Sequence, residues 1–213
     1  LARMGRPAKY DATTREELLD AAERLLASGG PAAVTVRAVA DEIGSSTRSV
    51  YGVFASKAAM VRALSARGFD HLAHLVESAP ESDDPAADLA AVGVLAFRTF
   101  ALSRPHLFRI TFDSFDDESL RDPAVLPSML RSYESLATRI DRVRAIGWAP
   151  SWSTPDLSFA YHSFCHGLAA NELSREPPPV GAGQWRFLAD HDLEDLWRRA
   201  LAAFVAGLAP DDS

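Results

Sequence analysis

Residues 35–57, TVRAVADEIGSSTRSVYGVFASK, constrain the fold more than any other stretch of the chain. Thr35 is placed to cap a short helix whose apolar residues Val36, Val39, Ala40 and Ile43 share one face. Gly44 ends that helix in a tight turn, glycine being the residue that leaves a helix at least steric cost. Ser46 or Thr47 caps the next helix, which runs to about Phe54. Ser56 then caps a long fourth helix reaching residue 78. Two short helices about a glycine turn, closed by basic Lys57, form a helix-turn-helix whose second helix suits a major groove.

Helical spacing governs the remainder. Upstream, Thr13 or Thr14 caps a first helix with Leu18, Ala22, Leu25 and Leu26 on one face, and Gly29-Gly30-Pro31 stops it. Downstream, residues 80–85 are a polar, acidic loop in which Asp84 caps a helix to about 103. Pro105 fits the first position of a short helix carrying Leu107, Phe108 and Phe112. Longer helices follow at about 123–146, 155–174 and 190–208, the last two joined by the Pro- and Gly-rich loop EPPPVGAGQ. No stretch alternates like a strand and no internal repeat is evident, so the fold expected is all-α. It comprises a three-helix DNA-binding domain with its N-terminal arm over residues 1–57. A second domain of approximately six helices follows over 58–213.

Charge distribution agrees with that division. Net charge is −7, yet residues 1–57 hold eight Lys/Arg against seven Asp/Glu, while 58–213 hold 14 against 22. An acidic body disfavours non-specific adhesion, and a short cationic rim still binds phosphate if its charges converge. No run of about 18 apolar residues suggests a membrane span, and the basic start LARMGRPAKYD has no apolar run behind it that would mark a secretory leader. The single cysteine, Cys165, rules out an internal disulfide framework and fits a cytoplasmic protein.

In a helix-turn-helix the N-terminal part of the second helix meets base edges. Here that part is Thr47, Arg48 and Ser49, followed by Tyr51, with Ser46 at the cap. Arg48 can give two hydrogen bonds to guanine O6 and N7, roughly 1–3 kcal/mol of discrimination. Tyr51 can give its hydroxyl to a phosphate. Lys57 follows the Ser56 cap, where free amides and the helix dipole attract phosphate. Val50 and Phe54 face inward, toward Leu26, Val39 and Ile43.

The pattern V-T-x-R-x-V-A-x-E-I-G, nine residues, F, then A-S-K-A-A-M closely resembles the N-terminal domain of the TetR family of bacterial repressors, over about residues 13–65. The resemblance implies that Arg37 also reaches DNA. The arm GRPAK (Gly5–Lys9), with Arg6, resembles short basic arms that enter a minor groove, a disordered basic tail being the alternative. Ser45, Gly52, Val53 and Ala55 depart from the residues common in the family, so the operator does not carry over. FRTFALSRPHLFRITF (97–112) and FCHGLAANELS (164–174) resemble the ligand domain of a subgroup with a Trp-His-Gly signature. Here that signature is reduced to His166-Gly167, with Cys165 in the Trp position.

Two stripes with spacing i, i+4, i+7, i+11, Leu157-Tyr161-Phe164-Leu168 and Trp197-Leu201-Phe204-Leu208, suit an isologous four-helix dimer interface of the kind TetR-like proteins use. Intrachain core is the alternative for either stripe. Aromatic density points to an effector pocket: Phe97, Phe100, Phe108, Phe112, Tyr133 and Tyr161, with Met129, His162 and His166, could line a cavity for a small apolar or aromatic molecule. His162 and His166 are four apart but lack carboxylate support, so neither a metal nor another cofactor is expected. Cys165 reads as a small buried hydrophobe. No nucleophile elbow, P-loop, dinucleotide fingerprint or zinc-protease motif is present, so catalysis is not expected. The function expected is a homodimeric, ligand-responsive DNA-binding regulator, a repressor released from its operator by effector. The alternatives are an activator or architectural DNA binder without ligand control and, beyond these, an all-α enzyme.

Overall fold

The computed structural model describes residues 12–113, 122–174 and 192–210. The arm Gly5–Lys9 with Arg6, and the Pro- and Gly-rich loop at 176–184, lie outside them. Every regular element among the described residues is helical. They divide into two compact units, one formed by residues up to Phe69 with Arg104–Ser128, the other by Asp70–Ser103 with Met129 onward.

The first unit begins with α1 (Ala12–Ala33). The helix is already formed at Thr13 and Thr14, so neither is its cap. Gly30 breaks it (φ 66°, ψ −168°) within the expected Gly-Gly-Pro stop. Thr35 caps α2 (Val36–Glu42) by accepting from the Ala38 N–H at 3.1 Å. Gly44, at φ 63°, makes the turn. Of the two candidate caps for α3 (Thr47–Val53), Ser46 is the one used, accepting from the Ser49 N–H at 3.2 Å. Leu18, Leu26, Val34, Val39, Val50 and Phe54 are the core beneath these helices, each at most 3% exposed.

Ser56 opens α4 (Lys57–Ser78) by accepting from the Ala59 N–H at 3.1 Å. Within the first unit α4 meets α7 (Pro105–Asp113) at very short range. Ser65 Oγ donates to the Ile110 carbonyl at 3.1 Å. A Cβ added at Gly68 would lie 1.8 Å from Thr111 Oγ1, so only glycine fits that crossing. Ion pairs tie the helices further. Arg67 reaches Glu16, Asp20 and Glu23 of α1, and Arg104 pairs with Glu23.

The second unit is built around α5 (Pro85–Val92), which continues through a π-helical segment, Gly93–Arg98, into α6 (Thr99–Ser103). Asp84 caps α5 as expected, accepting from Ala86 and Ala87. This 19-residue run is apolar enough to cross a membrane by composition, but its apolar side is core, with Leu89, Val92, Phe97 and Phe100 at most 1% exposed. The Tyr161 hydroxyl donates to the Leu89 carbonyl at 2.5 Å. The Leu89 carbonyl is the acceptor an uninterrupted α-helix would offer to the N–H of residue 93, so the tyrosine hydroxyl bonds to the helical ladder just where the π segment begins. Gly93 also admits Leu201, whose Cδ1 would lie 2.4 Å from any added Cβ.

Three helices complete this unit: α8 (Leu126–Ala145), α9 (Thr154–Leu173) and α10 (Leu193–Ala206), α8 starting just before the division. From α8, buried Arg139 donates to the Val76 and Ala79 carbonyls at 2.8 and 2.6 Å, closing the C-terminal end of α4. Arg98 pairs with Glu172 at 2.9 Å, and the same carboxylate accepts from Trp197 Nε1 at 2.7 Å. This linked group joins the π segment, α9 and α10.

Candidate nucleic-acid interface

Helix α3 exposes one side and buries the other because its apolar residues recur with helical period. Val50 is fully buried and Phe54, just past its end, is 3% exposed. Ser46, Thr47, Arg48 and Tyr51 are exposed and Ser49 is half-buried, so the sequence-derived reading residues share the outward side of one capped helix. Ser46 and Ser49 hydroxyls lie 3.0 Å apart, which orients both at the helix entrance. Tyr51 is 56% exposed, an unusual environment for a large ring with no packing role. Arg48 and Lys57 are exposed, and among the described residues neither engages a carboxylate. Arg37 makes only a loose 3.8 Å pair with Asp41, both side chains largely in solvent. Such a pair is screened and contributes little, so phosphate can displace it.

The candidates for an effector pocket fall into separate groups. Phe108 and Phe112 belong to the first unit, where Phe112 meets Phe108 at 4.9 Å and Phe69 at 5.7 Å between ring centroids. In the second unit Phe97 contacts Tyr161 at 6.1 Å and His162 at 5.6 Å, and His162 stacks on His166 at 6.0 Å. Phe100 meets His71, a residue the spacing argument had not singled out, at 5.1 Å. Met129 is half-buried on α8, and Tyr133 there is 40% exposed. Desolvation, aided by neighbouring His166, lowers the His162 pKa to about 4, so the stacked pair is not doubly charged at neutral pH. Burial raises the Cys165 thiol far above its ordinary value, leaving it protonated and unreactive. Among the described residues no group of three or more His, Cys, Asp or Glu could hold a metal ion. Two surface concavities contain none of these aromatic residues. One, of about 320 Å³, is bounded by Ala90, Ala91, Val94, Leu95 and Arg198. The other, of about 540 Å³, lies over the Arg67–Glu23–Arg104 ion pairs.

The candidate dimer stripes also separate by burial. Leu157, Trp197, Leu201 and Leu208 are at most 7% exposed within their own chain, so their surface is used in the core of the second unit. Phe164 and Phe204 stack on each other at 5.0 Å, and both, like Leu168, are half-buried. The opposite face of α9 carries Phe159, 73% exposed, with exposed Ser163 and half-buried Gly167 and Ala170 at helical spacing. Phe159 stands alone among small residues on its face of α9, so apolar periodicity does not single it out.

Residues 18–64 match the sequence model of bacterial regulatory proteins of the tetR family. None of the curated proteins matches the chain. Solved structures share the fold at low identity. A protein of unknown function from Rhodococcus sp. RHA1 is 21% identical over 97% of this chain and 100% of its own, with a TM-score of 0.75. The TetR family transcriptional regulator PfmR from Thermus thermophilus is 19% identical over 91% and 99%, TM-score 0.61. A TetR variant from Acinetobacter baumannii AYE in complex with minocycline is 22% identical over 93% and 96%, TM-score 0.61. Residues 18–64 are thus similar to the tetR-family regulatory domain, and the chain shares its fold with solved TetR-family regulators.

Proposed function

We propose that the protein is a homodimeric transcriptional repressor whose second unit binds a small apolar or aromatic effector that releases it from DNA. The observation that carries the reading is the outward side of α3. It is a capped helix presenting Thr47, Arg48 and Tyr51 to solvent, beside Arg48 and Lys57 charges that no described carboxylate neutralises. In this reading Arg48, Thr47 and Ser49 contact base edges, while Arg37, Tyr51 and Lys57 hold phosphates. Arg6 would add a minor-groove contact. The effector region is the cluster of Phe97, Phe100, Tyr161, His162 and His166, where the neutral His162 imidazole suits an uncharged aromatic ligand. The minocycline complex of the similar fold supports a ligand role for this part of the chain. Residues of α4 occur in both units, which makes that helix the natural carrier of the signal. Two readers are joined through the exposed face of α9 around Phe159, Ser163 and Gly167. A repressor of this kind works on chromosomal DNA in the cytoplasm.

Selection of bound duplexes from a randomised library tests the assignment. Arg48→Ala should broaden the selected sequences, whereas Lys57→Ala should weaken all duplexes alike and reduce the salt slope by about one. Altered sequence preference in Lys57→Ala would refute the division of roles, and no preference in the wild type would refute specific regulation. Screening uncharged aromatic compounds by thermal shift should find one that raises Tm and releases the selected duplex. Stabilisation without release would favour a DNA binder lacking ligand control.

A further inference from the structure

The basic residues of this chain are treated in two ways. Among the described residues away from the reading helix, many are neutralised by carboxylates. Arg62 pairs with Asp122, Arg98 with Glu172 and Glu194, Arg131 with Glu77, and Arg67 with three acids of α1. Arg48 and Lys57 are not. One further residue shares their condition, and it is on a different helix. Arg15, in the first turns of α1, engages no carboxylate among the described residues. Its guanidinium lies over the ring of Phe54, with Cζ 4.8 Å from the ring centroid.

That contact has an unusual property. A carboxylate partner would cancel the charge and occupy the N–H donors. An aromatic face holds the cation through the ring quadrupole and leaves the in-plane N–H groups and the full charge available. Phe54 is itself fixed, 3% exposed, with its N–H bonded to the Val50 carbonyl at 2.8 Å as the C-terminal cap of α3. The ring is therefore rigidly coupled to the reading helix, and Lys57 follows it by three residues. Arg15 is half-buried, so its position is restrained before any partner arrives.

We infer that Arg15 is a further DNA phosphate-binding residue of the reader, held ready on the Phe54 ring at the end of α3. The inference rests on the DNA-binding reading above. It assigns Phe54 a second role beyond core packing and places a contact on α1, which the helix-turn-helix motif does not contain. Its binding partner is the sugar–phosphate backbone, so it contributes affinity and register without base preference.

The test uses the full chain and a mixed-sequence duplex of about 30 base pairs, titrated between about 50 and 200 mM salt. Arg15→Met keeps an apolar chain over the ring and removes the charge; Arg15→Lys keeps the charge. Losing one phosphate contact lowers the salt slope by about 0.9, so the wild-type advantage over Arg15→Met should be roughly 3.5-fold larger at the low-salt end than at the high-salt end. Arg15→Lys should restore most of the slope, and Tm should be matched between the two variants. A salt slope in Arg15→Met equal to wild type, while Lys57→Ala lowers it, overturns the Arg15 assignment and leaves the DNA reading standing. Equal losses in Arg15→Met and Arg15→Lys with a common fall in Tm would show a purely structural ring cover and would also overturn it. Absence of salt-dependent binding by the wild type would overturn both readings.

Discussion

Gly44 and Gly68 are both needed, for different reasons. Gly44 has φ 63° with open space around its missing Cβ, so its role is conformational, and an L side chain there costs about 1–2 kcal/mol. Gly68 has no such dihedral demand. Its substitution fails on contact, because Thr111 Oγ1, Cβ and Cγ2 would lie 1.8, 3.1 and 3.3 Å from a new Cβ. Thr111 is fully buried and its hydroxyl is held by the Leu107 carbonyl, so it cannot swing aside freely. Gly68→Ala should therefore destabilise by roughly 1–3 kcal/mol in denaturant melts, and Thr111→Ala in the same chain should recover part of the loss. Additive losses would show that the two residues do not meet. The turn glycine was legible in the sequence because Gly between two helical stripes has a local signature. Gly68 was not, since its reason lies far along the chain on another helix.

Among the elements, the run from α5 to α6 departs most from its sequence pattern. Apolar spacing reads as one uninterrupted α-helix from Asp84 to about residue 103, and the structure interrupts it at Gly93–Arg98. At the start of that interruption the Tyr161 hydroxyl donates to the Leu89 carbonyl. Burial keeps that phenol protonated, so it remains a donor. Tyr161→Phe should remove the bond to the Leu89 carbonyl and destabilise by about 1–3 kcal/mol, read by urea unfolding. An unchanged midpoint would mean that the ladder closes by itself. The caps, by contrast, were read correctly at Thr35, Ser56 and Asp84, because a cap bonds within three residues of its own position. The α9 and α10 stripes show the limit of periodicity. It identified apolar faces, and Leu157, Trp197, Leu201 and Leu208 do form one, but burial assigns them to the interior.

For the whole molecule, two properties follow from what remains exposed or desolvated. If α9 joins two copies through its outer face, Phe159→Lys should give monomers in sedimentation velocity with the melting profile of the fold preserved. A dimer unaffected by that change would place the interface elsewhere. Acid sensitivity is the second. Well above pH 6.5 the His162 imidazole is neutral in folded and unfolded chains alike, so it adds no pH dependence. As pH falls from 6.5 toward 4, the unfolded chain binds a proton that the folded one refuses, and stability declines by up to roughly 3 kcal/mol once titration is complete. Melts across that range should show a shallower decline in His162→Gln than in wild type; identical slopes would assign the acid response to other groups. The sequence alone determined the all-helical class, the two short helices about Gly44 with the Thr35 cap, and the resemblance of the N-terminal residues to the tetR family. Each of these depends on neighbours within a turn or two, where helical period and capping chemistry are local. Tertiary structure decided which apolar stripe is core, where α5 is interrupted, which aromatic candidates touch, and which cations are left without a carboxylate. Those outcomes depend on side chains far apart in the chain, and no local pattern encodes the distance between them.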